Sequence, residues 1–162
     1  MQGADILARW ESAKGSGLKR ALFSRGLGIA VPYSGTIRPE IVELEAGRCR
    51  VAMRDRKRVR NHLRSIHAIA LVNLGEISSG LALLTGLPSD ARGIVKSLSI
   101  DYLKKARGRL IADCQAELPP DNQERDVTVV AHIRDADGDE VATVHVNWRV
   151  GPVPVKAAEP AR

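Results

Sequence analysis

The sequence predicts an α+β fold in which an antiparallel sheet of about six strands wraps one long central helix, behind an N-terminal helical segment. Three observations predict it. Residues 65–87 space Ile66, Ala70, Leu74, Ile77, Leu81 and Leu84 by three or four, with Glu76 the only formally charged residue in the span. Several other stretches alternate apolar and polar side chains with period two, the mark of a half-buried strand. A sheet with one apolar face needs a cover, and residues 65–87 are the only segment apolar enough to provide one.

In chain order, Ile6, Leu7, Trp10, Leu18 and Leu22 fall at roughly helical spacing and are interrupted by Gly15 and Gly17, which predicts one or two short helices. Residues 35–44 are strand-like, with Pro39 arguing for an edge or a bulge. After the turn Glu45-Ala46-Gly47, Cys49, Val51 and Met53 alternate with Arg48, Arg50 and Arg54, as in the second strand of a hairpin. The apolar helix follows, and Gly86 and Pro88 stop it. Four strands then carry apolar faces: Leu98, Ile100 and Tyr102; Leu110, Ala112, Cys114 and Ala116; Val127, Val129, Ala131 and Ile133; and Ala142, Val144, Val146, Trp148 and Val150. Arg107-Gly108 and Asp137-Gly138 mark turns between them. The expected organisation is a helical segment at 1–32, a sheet-and-helix domain at 33–150 and a disordered tail at 151–162.

A chain of 162 residues suits one domain with a sizeable core, and 44% hydrophobic with 27% charged residues excludes global disorder, collagen-like repeats and a disulfide scaffold. Only 3% of residues are aromatic, so aliphatic side chains fill the core and base-stacking platforms are scarce. The formal charge of +6 favours an anionic partner. Cys49 and Cys114 form no C-x-x-C or Cys/His ligand pattern, which predicts two reduced thiols, a cytoplasmic protein and no metal site. Asp5, Arg9 and Glu11 break any secretory apolar run. Glu76, Asn73 and two serines argue against membrane insertion of the apolar helix.

Glu76 is the most unusual placement, because a carboxylate among apolar side chains needs hydrogen bonds, a counter-charge or a raised pKa. An arginine across an interface would satisfy it; a catalytic base or nucleophile is the other reading. His67 opens the same helix nine residues earlier, and at about 100° per residue the two side chains face opposite sides. His67 either hydrogen-bonds the helix start or takes part in catalysis. Free amides at Ala68 and Ile69 could hold an oxyanion there. Asn61, just upstream, is a turn residue or a holder of water or a carbonyl oxygen. Eight basic residues lie between Arg48 and Arg64, opposed only by Asp55, and Lys96, Lys104, Lys105, Arg107 and Arg109 form a second cluster. Such runs make solvated faces or bind phosphate. No helix-turn-helix, zinc-finger or RNA-recognition pattern accompanies them.

Together these elements resemble the hotdog fold. The stretch N-H-L-R-S-I-H-A-I-A-L-V-N-L-G-E is similar to the site of hotdog acyl-CoA thioesterases of the phenylacetyl-CoA and 4-hydroxybenzoyl-CoA type, which carry an Asn, a His opening the helix and an acid within it. The counterparts are Asn61, His67 and Glu76, separated by six and then nine residues, and the strand order extends the resemblance over residues 33–150. The resemblance implies hydrolysis of an acyl-CoA or related thioester, with coenzyme A entering only as part of the substrate and no separate cofactor. It implies that Glu76 activates water or attacks the carbonyl, that the Ala68 amide polarises it, and that Asn61 and His67 position the site. It also implies a homodimer or homotetramer, in which the carboxylate of one subunit meets the Asn and His of another. Arg58, Arg60, Arg64, Lys96 and Lys104 are the residues expected to hold coenzyme A phosphates. The His-Gly-Gly of active members is His67-Ala68-Ile69 here, and a downstream Ser or Thr has no clear counterpart, Val95 standing there with Ser97 and Ser99 nearby. That pattern resembles an uncharacterised branch of the superfamily. The same fold also admits a non-catalytic acyl-CoA or acyl-chain binder, and a basic nucleic-acid-binding protein is the third, weaker class.

Overall fold

The computed structural model describes residues 2–154. Helices α1 (Gly3–Ala13), α2 (Gly17–Ala30) and the short α3 (Pro32–Gly35) lead into strands β1 (Glu40–Glu45) and β2 (Arg48–Met53). Helix α4 (Ala68–Leu84) is followed by β3 (Ala91–Tyr102), β4 (Leu110–Gln115), β5 (Arg125–Arg134) and β6 (Glu140–Pro152). The six strands form one sheet in the order β1-β2-β4-β5-β6-β3, and every neighbouring pair is antiparallel. The sheet wraps α4, as the alternation and the apolar helix predict.

Helix α4 lies close against the sheet because small residues face it. A Cβ on Gly75 would stand 2.5 Å from Val144, and one on Gly80 would stand 3.2 Å from Trp148. Its buried hydroxyls are satisfied within the helix: Ser78 donates to the carbonyls of Leu74 and Gly75, and Thr85 donates to that of Leu81. Leu74, Ala82, Leu83, Ala112, Cys114, Ala131, Val144 and Val146 are all fully buried around this contact. Ile6, Trp10 and Leu27 of the N-terminal helices join the same core.

Three expectations are corrected. The apolar helix is shorter than 65–87, because Ser65 lies in a bend, Ile66 pairs with Arg60 in an isolated antiparallel bridge, His67 is the N-cap, and the helix ends at Leu84. Residues 35–39 are not strand: α3 ends at Gly35, and Arg38 takes a positive φ of 51°, so the extended chain begins only at Glu40. The apolar face of the strand after the helix is only partly buried: Ile100 packs against the core, while Leu98 and Tyr102 are 42% and 51% exposed. The reason is position: β3 starts seven residues earlier than Leu98, at Ala91, and occupies an edge of the sheet that α4 does not fully cover. Strand β6 runs on through Gly151 and Pro152, and residues 155–162 of the expected tail lie outside the described residues. Cys49 and Cys114, distant in sequence, face each other across β2 and β4 as free, buried thiols.

Candidate functional site

The start of α4 is held by the chain on both sides of it. Ile66 donates its amide to the Ala106 carbonyl at 2.9 Å, and His67 donates to the Val59 carbonyl at 2.8 Å. Asn61 shapes the approach: its Oδ1 accepts from the Leu63 amide at 2.9 Å and from the amide and hydroxyl of Ser65, both at 3.2 Å. The turn role of Asn61 therefore accounts for its oxygen, and its amide nitrogen is the group left for a ligand. Arg64 closes this turn with a φ of 57°.

His67 caps the helix through Nδ1, which accepts from the Ile69 amide at 3.1 Å. The neutral ring then carries its proton on Nε2. The amides of Ala70 and Leu71 donate to the His67 carbonyl. Among the described residues the Ala68 amide has no acceptor, so it is the uncommitted donor of the first turn. The expectation that the Ile69 amide is free as well is corrected, because the histidine cap occupies it.

Beside this end of the helix is a cleft of about 190 Å³ whose walls include Tyr33, Thr36, Arg58, Arg60, His67 and Asn73. Asn73 was legible in the sequence only as a polar interruption. It is buried, donates Nδ2 to the Tyr33 carbonyl at 3.2 Å, and leaves Oδ1 without a partner. The cleft thus has donors in His67 and the two arginines, and one of its lining residues, Asn73, carries a buried, unpartnered acceptor.

Glu76 is half-buried on the side of α4 that meets α3, where the hydroxyl of the buried Ser34 is its polar neighbour. Burial raises its carboxyl above the ordinary range, and the Ser34 hydroxyl partly offsets this. No guanidinium or ammonium of the described residues pairs with it. Within one chain Glu76 is not on the cleft. It lies nine positions after His67, about 13.5 Å along the axis and on the opposite side.

The basic residues divide into three groups. Arg48 and Arg50 pair with Glu43, Arg54 pairs with Glu40 at 2.6 Å, and these form a solvated face. Arg60 lines the cleft while bonded to Asp55 at 2.6 Å, and Arg58 lines it without a carboxylate partner among the described residues. Burial, with Arg38 and Arg58 nearby, lowers the pKa of Arg56. Lys96 is bonded to Asp126 at 2.7 Å, and Lys104 to Asp135 at 2.9 Å and to Asp139, so the structure commits both to carboxylates rather than gathering them at the cleft. Among the described residues, no group of three or more His, Cys, Asp or Glu side chains stands close enough to hold a metal ion, and no helix is long and apolar enough to cross a membrane.

A family model described as a domain of unknown function, DUF4442, matches residues 19–150. No curated protein matches the chain. Solved structures do. A protein solved as a genomics target shares 26% identity over 93% of this chain and 100% of its own, with a TM-score of 0.79. A Pseudomonas aeruginosa protein of unknown function, described as a probable thioesterase, shares 22% over 83% of this chain and 93% of its own, with a TM-score of 0.70. A Streptococcus mutans protein bound to acetyl-CoA shares 20% over 70% of this chain and 89% of its own, with a TM-score of 0.61. At such identities the likeness is one of architecture, and that architecture is the hotdog fold.

Proposed function

The chain belongs to the DUF4442 family, and from that premise we propose that it hydrolyses an acyl-CoA or related acyl thioester at a site assembled from two copies of the chain. The observation that carries this reading is Glu76, a half-buried carboxyl beside the buried Ser34 hydroxyl, with no cation among the described residues paired to it; burial raises its pKa. A carboxylate of raised pKa is a stronger base, suited to taking a proton from water near neutral pH. The Ala68 amide, uncommitted at the positive end of a 17-residue helix, supplies what the other half of the reaction needs.

In this mechanism the water oxygen bonds to the thioester carbon while Glu76 accepts the water proton. Negative charge on the carbonyl oxygen is met by the Ala68 N–H of the other subunit. The C–S bond then breaks, and Glu76 returns the proton to the leaving thiolate, giving a free acid and a thiol. His67 fixes the helix start, and the Asn61 amide nitrogen positions water or substrate. Arg58 and Arg64 take coenzyme A phosphates, joined by Arg60 through the guanidinium nitrogens that Asp55 leaves free, whereas Lys96 and Lys104 would first have to leave their carboxylates. The exposed apolar residues Ile94, Leu98 and Tyr102 on edge strand β3 support a second copy, because a sheet edge with such side chains is usually covered. Two copies also remove the difficulty that Glu76 and the helix start diverge within one chain. The phenylacetyl-CoA and 4-hydroxybenzoyl-CoA type of enzyme is the model for this arrangement.

The test is thiol release over a panel of aliphatic and aromatic acyl-CoAs, with Glu76→Ala beside the wild type. The expected loss is about 10²-fold or more, the order of general-base catalysis. Co-purified acyl-CoA without thiol release would favour a binding protein on the same fold.

A further inference from the structure

Helix α2 has two apolar sides. It buries Ser24 and Leu27 toward the body of the protein. Leu18, Leu22 and Ile29 project the other way and are 72%, 60% and 70% exposed. At about 100° per residue these three fall within a sector of about 40°, nearly opposite Leu27. One exposed leucine is ordinary, but three large apolar side chains in a single outward stripe call for a partner.

The charge around the stripe identifies that partner's chemistry. Residues 12–39 contain five basic side chains and no acidic one. Between α2 and β1 lies a groove of about 770 Å³ whose walls include Arg20, Arg25, Arg38, Arg54 and Arg109. Its one carboxylate, Glu40, is taken by Arg54. The other four arginines have no carboxylate partner among the described residues. A second copy placed on this face would set like charges against each other, and a nucleic acid has no use for the apolar stripe. An apolar stripe flanked by unpaired arginines fits the boundary between acyl chains and anionic headgroups.

We propose that the outward stripe of α2 and the arginine-lined groove beside it dock this protein on the surface of an anionic lipid bilayer. Leu18, Leu22 and Ile29 enter the acyl boundary, and the groove arginines take headgroup phosphates. The protein lies on the membrane and does not span it. This docking is independent of the thioesterase reading and uses none of its residues.

The full-length chain is sedimented with vesicles of phosphatidylcholine alone, or with about one third phosphatidylglycerol. The expected result is binding to the anionic vesicles at least about tenfold above the neutral ones, lost near 0.5 M salt. Combined Leu18→Ser, Leu22→Ser and Ile29→Ser substitution should reduce that binding about tenfold with the charge unchanged, and Arg20→Glu with Arg25→Glu should do the same. Circular dichroism and gel filtration should show both variants folded and unaltered in size. Absence of vesicle binding at low salt, equal binding to neutral vesicles, or an unaffected serine variant would each overturn the proposal. So would a serine variant that elutes as a smaller species, which would give the stripe to a second copy. Retention on polyglutamate without vesicle binding would give it to an acidic protein.

Discussion

Replacing Ala68 with proline removes the one amide on which the proposed carbonyl activation depends and disturbs little else. Ala68 is the first residue of α4, directly after the cap, where proline is well tolerated and no backbone hydrogen bond is lost. His67 already has φ −65° and ψ 139°, the extended conformation that a following proline requires. The folding free energy should therefore stay within about 0.5 kcal/mol of wild type. Loss of a single donor to a developing oxyanion lowers turnover by about 10²–10³-fold, or about 2.7–4 kcal/mol. Urea unfolding and thiol release on the same preparation measure both quantities. A stable Ala68→Pro protein with wild-type turnover would refute the role of this amide. An unfolded one would refute the reading of the cap.

Burial raises the Glu76 carboxyl above its unfolded value, so its stabilising contribution is complete at low pH and is lost as pH rises through the folded-state pKa. Glu76→Gln should accordingly melt higher than wild type at neutral pH and converge with it in acid, and identical melting at neutral pH would show an unstrained carboxylate. Gly75→Ala places a Cβ 2.5 Å from the fully buried Val144, and overpacking should cost about 1–3 kcal/mol in urea unfolding, with Val144→Ala recovering part of the loss. Burial raises the Cys49 thiol and pushes Cys114 up to about 12, so a thiol reagent at neutral pH should label neither cysteine until the protein unfolds; rapid labelling of the native protein would place them at the surface.

The parts of the fold that the sequence made legible were those with strong periodicity. The apolar helix, the Glu45-Ala46-Gly47 turn and the alternations of β2, β4, β5 and β6 all reappear in the structure. The segment at 35–39 misled because its composition is strand-like while its conformation is set by the α3 turn and a left-handed Arg38. Strand β3 misled because alternation reports which face is apolar, whereas burial depends on what lies across an edge. At the site, the order Asn61, His67 and Glu76 was visible as spacing. That the Nδ1 of His67 would occupy the Ile69 amide and leave Ala68 free depends on a side-chain torsion, which sequence does not encode. The pairing of Lys96 with Asp126 and of Lys104 with Asp135 joins residues 30 and 31 positions apart, beyond any local pattern. The unpartnered Oδ1 of Asn73 likewise follows from the path of Tyr33 and Thr36, not from the helix that carries it.

The central claim is that one protomer's Glu76 works on a carbonyl held at another protomer's Ala68. Glu76→Gln and Ala68→Pro proteins, each with little thiol-release activity, should be mixed under conditions that let subunits exchange. Random pairing into dimers restores one intact site in half of the dimers, so activity should return to about a quarter of wild type. A mixture no more active than its components, despite demonstrated exchange, would contradict a site shared between two copies.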